Sequence, residues 1–124
     1  MFSNKTIKMI FEKTNGHCHF CGDAVVLEKY GYRNINSSYG AWEIDHVVQK
    51  GKGGNKSPEN CLPACVKCNR LRWHRKGDNI RNLMQLGLIA NDEIKKDSKI
   101  GKTVKKLFDK RHENNKKRQR NNNF

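Results

Sequence analysis

The sequence predicts a small α+β domain braced by zinc, in which two short strands and a helix carry the chemistry and further helices flank them. Three observations lead there. Two Cys-x-x-Cys pairs, Cys18–Cys21 and Cys65–Cys68, have the spacing of a four-thiolate zinc site. Apolar and polar residues alternate from Trp42 to His46, as a half-buried strand requires. The hydrophobic fraction is only 35% over 124 residues, so a single thin core would need help, and a bound metal supplies it.

The elements follow in chain order. Residues 3–14 read as an amphipathic helix, with Ser3 or Asn4 as cap and Ile7, Ile10 and Phe11 on one face. Gly16 stops it ahead of the first knuckle, Cys18–Cys21. Residues 24–27 suit a short strand, and 30–40 a loop or loose hairpin. A strand is expected over 41–48 and a Gly-rich loop over 49–60. Cys61, Leu62 and Pro63 form a second short strand, Pro63 lying at an edge or end. The second knuckle then opens a helix that runs to about Arg75 and ends at Gly77. Residues 79–90 make another amphipathic helix, with Ile80, Leu83, Met84 and Leu86 as its face. Residues 92–113 have a helical pattern, and 114–124 carry too little apolar material to be ordered alone. The domain is thus expected over residues 1–91, with its core at about 11–77, followed by a basic helical extension and a basic disordered tail.

The chain holds 26 Lys and Arg against 12 Asp and Glu, a formal charge of +14. Residues 92–124 hold 12 basic and 5 acidic groups, so the charge is densest in the last third. A polyanion is the natural partner, and nucleic acid the commonest. No apolar run is long enough to span a bilayer, and the N-terminus lacks the apolar core of a signal peptide. An intracellular protein, cytoplasmic or on the nucleoid, is therefore expected, without a membrane partner. Five cysteines, an odd number, argue against a closed disulfide framework. Cys61 stands where a strand needs a small apolar residue. His17, His19 and His112 read as surface residues, with His19 able to replace one thiolate.

The most informative stretch runs from Ile44-Asp45-His46 through Gly53-Gly54 and Asn60 to Cys65-Val66-Lys67-Cys68-Asn69-Arg70. In this order of residues, over about 11–77, the chain resembles the HNH endonucleases, whose core is the ββα-metal fold. Hydrolysis of a phosphodiester needs an activated water, a cation and a stabilised leaving oxygen. A neutral imidazole can take the water's proton near pH 7, and His46 is the candidate. A hard divalent ion needs oxygen ligands, and Asp45 and Asn69 each supply one. The resemblance implies the same roles: His46 as general base, Asp45 and Asn69 as ligands of Mg2+ or Mn2+, and Asn60 as the residue that fixes the hairpin loop and helps orient His46. It also implies DNA as substrate and the 3′-oxygen as leaving group. Neighbours on a strand face opposite ways, so the strand must end or bulge where Asp45 meets His46.

Arg70, Arg72, Arg75 and Lys76 follow on the helix, and Lys52 lies in the Gly-rich loop; these are the candidate DNA contacts, with Arg72 best placed to clamp a phosphate. His74 is a secondary candidate for metal or phosphate. One metal core nicks one strand, so a double-strand cut requires a homodimer or two successive nicks. A phage, mobile-element or restriction origin is compatible with all of this. The rival reading is a non-catalytic zinc-knuckle module that only binds nucleic acid, for which the Asp45-His46 pair and Asn69 would have no use.

Overall fold

The computed structural model describes residues 2–31, 39–73 and 77–116. Helix α1 spans Asn4–Glu12, strands β1 and β2 span Trp42–His46 and Cys61–Cys65, and helices α2, α3 and α4 span Val66–Trp73, Gly77–Lys95 and Lys99–Asn114. The α+β class is borne out. The two strands form one antiparallel hairpin with Trp42 opposite Cys65, Ile44 opposite Pro63 and His46 opposite Cys61. Each strand of a two-stranded sheet keeps one open edge, which is why Pro63 is tolerated inside β2.

Ser3 caps α1 by accepting a hydrogen bond from the Thr6 amide at 3.2 Å, one of the donors that a helix start leaves free. The helix lays Ile7, Ile10 and Phe11 toward the hairpin. Trp42 is the centre of the core. Its ring meets Phe11 at 5.7 Å and Tyr30 at 4.9 Å between centroids, and its indole N–H donates to the Val26 carbonyl at 2.9 Å. Around it pack Cys18, Val25 and Ala64, all buried. Strand alternation divides the hairpin's two sides: Trp42 and Ile44 belong to this core, while Glu43 and Asp45 meet α2.

Between the strands, the loop closes on itself through a backbone approach that no side chain would allow. A Cβ on Gly54 would stand 1.7 Å from the Val48 carbonyl oxygen.

Several boundaries depart from expectation. The stretch 24–27 forms only one isolated bridge, His17 to Ala24, before a short 3-10 turn at Leu27–Lys29. Gly77 opens α3 instead of ending α2, and α3 continues to Lys95. The helical pattern at 92–113 is broken into two helices at 96–98. Asp97 adopts φ 55°, a left-handed turn conformation open to Asp and Asn, and Ser98 then caps α4 by accepting from the Gly101 amide at 3.0 Å. The resulting α3–α4 hairpin is close: a Cβ on Gly101 would lie 2.0 Å from the Glu93 carbonyl oxygen. The C-terminal end of α4 returns to the first knuckle. Asn114 donates to the Gly22 carbonyl at 2.9 Å, and the buried Asn115 to the Cys18 carbonyl at 2.8 Å. Residues 114–116 therefore belong to the fold and not to the tail, whose remaining residues, with Arg75, Lys76 and His74, lie outside the described ones.

Candidate metal centres and active site

The turn after α1 carries Cys18 and Cys21, and the junction of β2 with α2 carries Cys65 and Cys68. Their four Sγ atoms lie within 4.8 Å of one another, with Cys21 and Cys65 3.9 Å apart. Zinc at ~2.3 Å from each of four tetrahedral sulfurs would set them ~3.8 Å apart, so the set fits that ion. The Cys68 amide points at Cys65 Sγ at 3.4 Å, the turn that brings two thiols of one knuckle together. Packed thiols without a cation are in conflict. Hydrogen bonds from Cys21, Cys65 and Cys68 hold the Cys18 thiol far below its ordinary pKa, while hydrogen bonding to Cys18 pushes Cys21 and Cys68 far above theirs. A bound dication removes the conflict by favouring every thiolate. Cys61 takes no part in this cluster: it is wholly buried, and that burial pushes its thiol up to about 11.

Asp45, the fourth residue of β1, is buried in full and reaches toward α2 and the first knuckle. Its Oδ2 accepts from His19 Nε2 at 2.9 Å and from Arg72 at 2.5 Å. Its Oδ1 is equally buried and has no hydrogen-bond partner among the described residues. A buried carboxylate oxygen without a donor is costly, and a hard cation is the partner that such an atom suits. Asn69, on the first turn of α2, donates from Nδ2 to Glu43 Oε1 at 3.2 Å and accepts from Trp73 Nε1 at 3.1 Å. The tryptophan contact fixes which end of the amide is oxygen, and that oxygen keeps a second lone pair. Glu43 also lies 3.9 Å from Arg70.

His46 ends β1. Its side chain is half-buried and lines an open cleft of about 790 Å³ with Val48, Gln49, Asn55, Lys56 and Trp73. Trp73 also lines a smaller cleft of about 230 Å³ with Glu43, Asn69 and Arg70, so one indole borders both the histidine and the asparagine. The strand stays in regular register through both residues, with Asp45 opposite Leu62 and His46 opposite Cys61, so it ends after His46 without the expected bulge between them. Asn60 holds the loop beside His46. Its Oδ1 accepts from the Val48 amide at 2.9 Å, and its Nδ2 donates to Val48 and Asn55 carbonyls at 3.0 and 2.7 Å.

Two placements differ from what the sequence suggests. Arg72 has its guanidinium on Asp45 and on the Val47 carbonyl at 2.6 Å, with Cζ 4.8 Å from the centre of the Trp73 ring, so it is engaged within the fold and not placed to clamp a phosphate. His19 is no surface residue: its side chain is buried against Asp45. The residues that sequence reasoning missed are therefore His19 and Glu43. Nothing in the spacing marks His19, because its partner is 26 positions away; Glu43 could be found as the same-face neighbour of Asp45 on β1. Lys52 is exposed in the loop turn.

Comparison with curated proteins and with solved structures finds no match. The family model described as HNH endonuclease matches residues 18–76, which include both knuckles, both strands and α2. The hairpin, the helix α2 and the four cysteines that could hold a metal all fall within this match, so residues 18–76 are similar to the HNH endonuclease family.

Proposed function

We propose that the protein is a metal-dependent endonuclease that hydrolyses phosphodiester bonds in DNA. The observation that carries this reading is Asp45: a buried carboxylate with one oxygen held by two donors and the other without a donor among the described residues. Asp45 and Asn69 are the residues to hold Mg2+ or Mn2+, and His46 is the general base. A divalent ion held there would supply charge neutralisation to the phosphate and to the departing 3′-oxygen. His46 accepts the water's proton from its place in the open cleft, where the backbone of DNA can reach it. Asn60 keeps the loop, and with it His46, in place. Arg70, Lys52 and Lys56 offer cations to the backbone around the scissile phosphate; Arg75 and Lys76, candidates from the sequence, lie outside the described residues. Arg72 orients Asp45. The four cysteines hold a structural zinc that joins the first knuckle to the helix bearing Asn69, one residue beyond Cys68, and so preorganises that ligand.

A second copy is the partner that would convert a nick into a double-strand cut. Helix α3 supports self-association. Met84, Leu86, Leu88 and Ile89 are 61–63% exposed, they lie on two sides of the helix, and no charge occurs from Asn82 to Asn91. A helix apolar on several sides belongs inside an assembly.

The test is conversion of supercoiled plasmid by zinc-loaded protein with and without Mg2+. Ion-dependent nicked or linear product supports the nuclease. Binding that shifts the plasmid in a gel with no cleavage under any divalent ion makes the domain a binding module instead.

A further inference from the structure

We infer that His19 is a positioning residue, which transmits the rigidity of the cysteine knuckle to the carboxylate of Asp45. The inference rests on the reading of Asp45 as a divalent-ion ligand. His19 follows Cys18 directly, so the four-cysteine centre anchors its backbone. Its amide donates to the Pro63 carbonyl in β2 at 2.9 Å, which ties the same residue to the hairpin. Its ring is sealed from solvent, and Nε2 stands 2.9 Å from Asp45 Oδ2. A carboxylate only accepts, so Nε2 is the protonated nitrogen of that contact. Arg72 reaches the same oxygen from α2. Two donors from two elements thus fix Oδ2 and leave Oδ1, which has no partner among the described residues, as the one to present to a cation. Partners of this kind, standing behind a ligand, typically change metal affinity ~10–100-fold when removed.

A structural filler and a positioning donor make different demands at residue 19. Glutamine can place an amide N–H about where His Nε2 stands; asparagine stops short of it; leucine fills space and donates nothing. Full-length His19→Gln, His19→Asn and His19→Leu should each retain the wild-type zinc content. Their Mn2+ affinity, followed by the EPR signal of free Mn2+, should separate them. His19→Asn and His19→Leu should weaken binding ~10-fold or more, and His19→Gln should restore most of it. The Mn2+ concentration that half-saturates plasmid nicking should shift by the same factors. Should His19→Leu fail to fold and lose zinc, the glutamine–asparagine pair decides alone. Unchanged Mn2+ affinity in His19→Asn, an equal loss in His19→Gln, or no Mn2+ binding by the wild-type protein would overturn the inference. If the wild-type protein binds Mn2+ with this His19 dependence but cuts no DNA, the nuclease reading falls and the role of His19 stands.

Discussion

Asn60 satisfies three backbone groups with one side chain, and alanine in its place would leave the Val48 amide and two carbonyls without their partners. An unsatisfied buried group costs about 1–3 kcal/mol. Asn60→Ala should therefore lower unfolding stability by about 2 kcal/mol in denaturant titrations while zinc stays bound. Cleavage should fall as well, because the loop it fixes leads out of His46. Loss of cleavage at unchanged stability would mean that Asn60 acts directly on the reaction and not through the loop. This residue, the knuckle cysteines and the Asp45-His46 pair are all readable as residue types at fixed local spacing. His19 is not, since the meeting of a knuckle with a strand 26 positions later exists only after folding.

At the scale of elements, the hairpin and the helix opened by Cys65–Cys68 are legible because alternation, a Gly-rich loop and a knuckle each constrain only a few adjacent residues. The helical stretch 92–113 reads as continuous in sequence and is not. Its apolar positions do repeat at helical spacing, but Asp97 and Ser98 break and restart the chain there, and the cap signal of Ser98 is the clue that spacing alone overrides. Gly101 is what lets α4 fold back on α3, with the Glu93 carbonyl where a side chain would begin. Gly101→Val should force the two helices apart. Circular dichroism should show a loss of helix confined to α3 and α4, and limited proteolysis should cut first between residues 77 and 99. The zinc content and the hairpin core, which lie elsewhere, should be retained. Full zinc loss in this variant would show that the helical extension is part of what closes the knuckles, by way of Asn115 on Cys18.

For the whole molecule, the thin core and the four-thiolate cluster are one fact seen twice. Chelation of zinc at neutral pH should unfold the domain cooperatively, with one zinc released per chain, as monitored by a metal-sensitive dye and by circular dichroism together. A chain that gives up zinc yet keeps its fold would mean that the apolar core suffices. The charge distribution makes a separate prediction. Lys117, Arg118 and Arg120 are the basic side chains that follow Lys116. Truncation after Lys116 keeps Asn114 and Asn115 on the knuckle. It should reduce the slope of log affinity against log salt by at most ~2.7, about 0.9 for each phosphate that the tail neutralises. Identical slopes would mean that the tail does not touch DNA. Light scattering should find two chains together at micromolar concentration if α3 packs on a second copy, and a monomer at every concentration would remove that interface.

The central claim is that His46 performs proton transfer in a metal-dependent cut, and one comparison tests it most directly. Supercoiled plasmid is incubated with zinc-loaded wild-type protein and with His46→Ala, across a titration of Mg2+ and with binding measured in parallel. The wild-type protein should nick the plasmid only with the divalent ion, and His46→Ala should be slower by ~10²-fold or more at equal DNA affinity. Equal cleavage rates for the two proteins would contradict the claim.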